Sequence, residues 1–221
     1  MARVLSVNMG SAMPSPHSAI GVTGIDKRPV QGPVAVRDPG PKGRGASGLA
    51  GDTVADLRNH GGSDQAVYAY AREDLDTWQV ELGRPLQNGA FGENLTVEGL
   101  DLAQARVGER WRVGAALVLE VGDVRIPCRT FAGWLGERGW ERRFTRRGAS
   151  GAYLRVIAPG DVCAGDPIAV VLRPTHDVTI GLMFRALTTE PALLPRLLAA
   201  GAALPQEARA LVLRYVAGRE R

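Results

Sequence analysis

The residues of this chain best suited to chemistry are a cysteine beside arginines, a histidine set against glycines, and an asparagine at the head of an apolar strand. Cys128 follows Val124-Arg125-Ile126-Pro127 and precedes Arg129-Thr130-Phe131. A thiolate there could hold a thiophilic metal, and Arg125 and Arg129 would favour its deprotonated form. Taken alone, a cysteine at a strand end is more often a small buried apolar residue. In His60-Gly61-Gly62-Ser63-Asp64-Gln65 the imidazole could donate to a phosphate or a polar ring, the glycines could present main-chain amides, and Asp64 could fix the turn or bind ring nitrogens. By itself His-Gly-Gly is an ordinary turn, with Asp64-Gln65 as its junction to a strand. Asn94 enters the apolar run Leu95-Thr96-Val97, where an amide must be paired with neighbouring backbone or with a ligand; spacing leaves both open. Lys27, beside Arg28-Pro29, suits an anion contact or a plain surface lysine.

Other chemistries lose weight. The chain has no Walker or dinucleotide glycine fingerprint and no Gly-x-Ser-x-Gly elbow, and His17, His60 and His176 are too dispersed for a zinc site.

The elements that must position these residues are mostly strands. Apolar runs in the first two-thirds are short, β-branched and punctuated by glycine and proline, which predicts strands at 3–8, 20–25, 33–37, 66–70, 94–97, 110–113, 116–125, 151–157 and 167–172. The fold class is therefore mainly β with some α, a strand-rich barrel or sandwich. One helix interrupts it at Arg72–Leu82, where Leu75, Trp78 and Leu82 recur at helical spacing and Gly83 can end the helix. A short helix is expected around Thr130–Arg138. Residues 39–51 are mostly glycine and proline and predict a mobile loop. Lys42 and Arg44 would suit it as a flap over an anion, and plain disorder fits equally.

After Pro174 the pattern becomes helical, at 178–188, 191–200 and 205–217, so we divide the chain into a domain at 1–174 and a helical extension at 175–221. Three short helices make a small bundle suited to docking or to an oligomer contact, a homodimer included.

A 45% apolar composition is ordinary for a chain with a real core. No apolar stretch approaches the length that spans a bilayer, and Met1-Ala2-Arg3 runs into Val4-Leu5 without a signal-peptide pattern, so a cytoplasmic protein with no membrane partner is expected. In that compartment Cys128 and Cys163 should both be free thiols. A net charge of +4 is too small to argue for nucleic acid. The densest basic run, Arg138–Arg147, alternates aromatics with guanidiniums but reads better as a solvated helix face or the wall of an anion site.

Together, Gly51-Asp52, the stretch His60–Tyr68, Phe91-Gly92-Glu93-Asn94-Leu95-Thr96, Pro127-Cys128 and Gly165-Asp166 resemble, in that order, the MOSC domain (the C-terminal domain of molybdenum cofactor sulfurase), in its YiiM-like branch. The resemblance covers nearly the whole chain, the terminal helices included. It implies a β-barrel-like domain that holds a molybdenum–pterin cofactor, with Cys128 as the metal ligand and catalytic residue. The implied activity is two-electron removal of oxygen from small N-hydroxylated compounds such as hydroxylaminopurines.

By motif position, Asn94 matches a cofactor contact, and Lys27, His60, Gly61, Gly62, Asp64 and Gln65 are implied pterin or phosphate contacts, with Arg129 favouring the thiolate. The animal reductase branch has an arginine two residues before the matching asparagine, where this chain has Gly92. Phosphate binding would then fall to Lys27, Arg44 or the Arg138–Arg147 run. With no flavin, nicotinamide or iron–sulfur fingerprint of its own, such a reductase implies a separate reductase or redox carrier as electron donor. Two alternatives remain: a sulfur carrier using a Cys128 persulfide, and, ranked last, a pyridoxal phosphate binder using Lys27 or Lys42, neither of which has an evident apolar setting.

Overall fold

A computed structural model describes residues 1–219. Its strands are β1 (Arg3–Gly10), β2 (Met13–Pro14), β3 (Val22–Thr23), β4 (Lys27–Pro29), β5 (Val34–Val36), β6 (Val67–Ala71), β7 (Leu95–Glu98), β8 (Arg110–Val113), β9 (Leu117–Asp123), β10 (Ala152–Ala158), β11 (Gly160–Val162) and β12 (Ile168–Leu172). Helices are α1 (Arg72–Leu82), α2 (Arg129–Leu135), α3 (Trp140–Arg147), α4 (Ile180–Thr188) and α5 (Gln206–Arg219). Eight strands form one mixed sheet in the order β12-β8-β9-β10-β6-β7-β1-β4, while β5–β11 and β2–β3 pair separately.

Among the described residues only β6 and β7 run parallel. Parallel neighbours need a crossover rather than a hairpin, and α1 supplies it. Leu75 and Trp78 of α1 are buried, and Gly83 ends the helix in the left-handed conformation, its N–H bonding to Gln79 O.

The expected barrel is not closed. Between β1 and β12 there is one bridge, Arg3 to Pro167, flanked by Val4 N donating to Asp166 O at 2.9 Å and Ile168 N to Ala2 O at 2.9 Å. The bridge is antiparallel, so β12 runs from it past Ala2, ahead of β1, and leaves the strand, while the far end of the same edge is taken by β4 through Asn8–Gly10.

Beyond Cys128, the expected helix at Thr130–Arg138 is shorter. Gly136 adopts φ 68° and ends α2 at Leu135, and a second helix, α3, begins at Trp140. The basic run is thus only half solvated, because Trp140 and Phe144 turn inward. They pack with Trp78, Phe91 and Phe131 in an aromatic cluster, Phe131 lying 5.4 Å from Trp140 and 5.3 Å from Phe144 between ring centroids. Each such burial contributes roughly 1.5–3 kcal/mol.

In the C-terminal segment, α4 and α5 match the expected helices, but the middle piece, Pro191–Ala203, is a 3₁₀ stretch. Pro195 lacks the N–H an α-helix needs, and Gly201 is non-helical. Phe184 of α4 packs edge-on against Phe144, with 6.2 Å between ring centroids. No described helix is long and apolar enough to cross a membrane.

Candidate functional site

The loops at one end of the sheet enclose a cleft of about 490 Å³ between the β2–β3 hairpin, residues 53–61 and residues 125–130, with Tyr68, Asn94 and Tyr153 of the strand region facing it. Cys128 lines it, half-buried, at the residue before α2. The backbone there is extended at φ −133°, and Cys128 O accepts the N–H of Ala132 at 2.9 Å, which fixes the residue at the helix entrance.

Behind the cleft wall a polar network is held by Asp52. One carboxylate oxygen accepts from Lys27 Nζ and from Gly10 N at 2.9 Å; the other accepts from Asn94 Nδ2 at 2.9 Å. Asn94 Oδ1 in turn accepts the N–H of Tyr68 at 3.1 Å. Asn94 is thereby paired within the protein while still lining the cleft. Its neighbour Glu93, fully buried, accepts from Gly89 N at 2.6 Å, Phe91 N at 3.0 Å and Thr96 Oγ1 at 2.8 Å, and so builds the turn that delivers Asn94. Lys27 is a buried lysine and not a surface one, and it does have a pKa-lowering setting. Burial depresses its pKa, the Asp52 carboxylate opposes that shift, and Arg125 adds to it.

His60 and Gly61 line the cleft mouth and Gln65 its inner wall. Desolvation, followed by the charge of Arg125, holds His60 below the usual imidazole value, although the residue as a whole is exposed. Gly62 and Asp64, expected among the contacts, do not line the cleft. Gly62, at φ 79°, accommodates the 39–51 loop, since a Cβ there would lie 2.6 Å from Lys42 N. Asp64 is engaged by Arg155, whose Nε donates to it at 2.6 Å.

Arg129 lines the cleft but is exposed, and its guanidinium donates to Pro16 O at 2.9 Å. Arg44 and the arginines of 138–147 do not reach the cleft wall, so they are not its phosphate contacts. Lys42 instead binds Glu207 of α5 at 2.8 Å.

Arg125, read from the sequence only as a neighbour of the thiol, is the cation at the heart of the cleft. Its guanidinium lies 5.0 Å from the Tyr68 ring centroid and 4.5 Å from that of Phe131, and it lines the same cleft as Cys128. It also lies beside Gly92, whose added Cβ would be 3.9 Å from Arg125 Nη1. Gly92 itself has φ 73° and a Cβ there would stand 3.0 Å from Ile25 Cγ1, so an arginine at this position would be strained. The guanidinium enters instead from the segment between β9 and Cys128.

Two cleft-lining residues carry buried polar atoms without partners among the described residues, Arg125 Nε and Gln65 Oε1. Buried polar atoms are normally satisfied, so these two leave the hydrogen bonding of the cleft wall incomplete. His17, discounted in the sequence as one of three scattered histidines, also faces the cleft. The β2–β3 hairpin carries it against α2, where a Cβ on Gly133 would fall 2.1 Å from His17 Cγ. No sequence signal marked this contact. Among the described residues no group of three His, Cys, Asp or Glu side chains could hold a metal unaided.

A strand-rich domain whose open mixed sheet presents a thiol and cations at its loop end is the class defined by this fold and cleft. The chain belongs to the MOSC domain family, whose model matches residues 56–169, and within it is YiiM-like. It is 34% identical over 178 residues to the uncharacterized protein YflK of Bacillus subtilis (strain 168), covering 80% of this chain and 76% of that one. It is 33% identical over 143 residues to a Gibberella moniliformis (strain M3125 / FGSC 7600) protein named Reductase, covering 61% of this chain but 24% of that protein. The crystal structure of YiiM from Geobacillus stearothermophilus superposes with a TM-score of 0.78 at 27% identity, covering 97% of this chain and 98% of that one.

Proposed function

We propose that this protein reduces small N-hydroxylated compounds with a molybdenum–pterin cofactor in the cleft and Cys128 as the protein's metal ligand. The observation that carries the reading is the position of Cys128, in the wall of a cleft that also presents Lys27, Arg125 and Arg129. The residues present fit the group: a thiolate suits a soft metal, the cations suit a phosphate, and the unpartnered Arg125 Nε and Gln65 Oε1 suit a polar heterocycle. The link of MOSC domains to this cofactor and the relative named Reductase support it.

When bound, the cofactor would supply a two-electron couple able to accept oxygen. Lys27 and Arg125 would hold its anionic part, and Asn94, braced by Asp52 and Tyr68, would fix its orientation. His60, its pKa lowered, is neutral near pH 7, with one ring nitrogen able to donate a proton and the other able to accept one. In the net reaction the N–O bond breaks, two electrons and two protons enter, and an amine and water leave. The electrons would come from a separate reductase or redox carrier.

The test is elemental analysis and pterin fluorescence on wild-type and Cys128→Ser protein made in a cofactor-competent host, with intact-mass measurement alongside. Stoichiometric molybdenum and pterin in the wild type, with metal and activity lost in the variant, are expected. Molybdenum absent from the wild type, or retained by a fully active variant, would overturn the reading. A sulfur adduct on Cys128 that is lost on reduction, without pterin, would identify a sulfur carrier instead.

A further inference from the structure

The basic run 138–147 divides into two sets of arginines. Arg143 binds Glu81 at 2.9 Å and Glu137 at 3.2 Å, and Arg147 pairs with Glu81 while its guanidinium lies 4.3 Å from the Trp78 ring centroid. These two fasten α3 to the domain. Arg138, Arg142 and Arg146 are exposed and make no hydrogen bond or ion pair among the described residues. Arg142 and Arg146, one turn apart, share a helix face. Arg138 precedes them in the turn, and Glu141, also exposed, offsets one of the three charges.

We propose that Arg138, Arg142 and Arg146 form the docking surface for an acidic electron-carrier protein that serves the Cys128 cleft, an inference that rests on the reductase reading. The inner face of α3 connects this surface to the cleft. Trp140 packs edge-on against Phe131, with 5.4 Å between ring centroids, and Phe131 lies three residues along from Cys128 and under the Arg125 guanidinium. Between a carrier on this face and the residues around the thiol stand α3 itself and the Trp140–Phe131 ring pair.

The chemistry of the patch selects the partner class. Single-stranded nucleic acid needs exposed rings for base stacking, and both aromatics of α3 are buried, Trp140 at 1% exposure and Phe144 at 0%. A membrane surface needs an apolar wedge beside the charge, and α3 exposes no large apolar side chain. What remains is a small, charge-complementary contact of the kind that steers transient redox encounters.

The experiment measures binding of a small acidic FMN-carrying flavodoxin to the full chain, with activity driven by reduced methyl viologen as a separate readout. Charge reversal in Arg142→Glu/Arg146→Glu is expected to weaken flavodoxin binding at least about fivefold at low salt, and added salt to do the same to the wild type. Viologen-driven turnover should not change. The control reversal Arg37→Glu/Arg112→Glu, on exposed arginines elsewhere, should leave binding intact. Binding insensitive to the α3 reversal, equal loss in the control, or preferential binding of single-stranded RNA or anionic vesicles to the row would overturn the proposal. Absence of viologen-driven turnover while flavodoxin binding follows the α3 charges would count against the reductase reading and support the docking surface.

Discussion

Lys27 and Asp52 form a buried ion pair, and the same carboxylate reaches Asn94, so one acid fixes two residues of the cleft wall. Removing one member of a buried pair leaves the other charge uncompensated. Asp52→Ala is expected to destabilise the protein by about 3–5 kcal/mol, read by urea unfolding. Asp52→Asn, which keeps the shape and can keep the contact to Gly10 N, should cost less. Equal stability of Asp52→Ala and wild type would show that the network does not hold the fold.

Placing an arginine at position 92 should harm this chain. The residue sits at φ 73° against Ile25, a conformation that costs an L-residue roughly 1–2 kcal/mol before any clash. Gly92→Arg is expected to lower the unfolding midpoint, whereas Arg125→Met should mainly weaken anion binding, by about tenfold in a phosphate or pyrophosphate titration. A stable Gly92→Arg variant that binds the anions more tightly would contradict the placement of the cation at Arg125.

Burial pushes the carboxyls of Asp74 and Asp123 up to about 6, helped in Asp74 by the nearby Asp101 and Glu73 charges. A carboxyl raised in the folded state binds more protons there than in the unfolded chain between about pH 4 and pH 6, so its contribution is present below that window and lost as pH rises through it. Asp74→Asn/Asp123→Asn should flatten this part of the stability–pH curve, measured by unfolding at half-unit pH intervals. A curve unchanged by the double substitution would rule out the two residues as its source.

The β2–β3 hairpin should be separable from the rest of the fold. Gly133→Ala places a methyl where the His17 ring now lies, yet favours helix by roughly 1 kcal/mol at that position. Faster amide exchange confined to residues 13–23, without loss of global stability, is the expected outcome. Unaltered exchange there would mean that His17 does not need the space over α2.

Much of the fold was legible because its signals are local. α1 was marked at both bounds by the spacing of Leu75 and Trp78 and by Gly83, and most strands by β-branched runs between glycines. α3 was obscured because its arginines dominate the composition, while the two aromatics that bury it find partners far away in Trp78, Phe91 and Phe131. The sheet stays open for a reason no periodicity carries, namely that β12 meets β1 through the antiparallel Arg3–Pro167 bridge and then runs ahead of it rather than along it.

The site followed the same division. Residue type alone marked Cys128, His60 and Asn94 as capable of chemistry, because thiol, imidazole and a strand-head amide are rare and must be explained wherever they fall. Only the tertiary structure decided which residues share the cleft. It brought His17 and Arg125 in, turned Asp64 toward Arg155, set Gly62 beneath Lys42, and buried Lys27 on Asp52. Side-chain direction and burial depend on contacts between segments tens of residues apart, and those contacts are set by packing and pairing rather than by any local pattern.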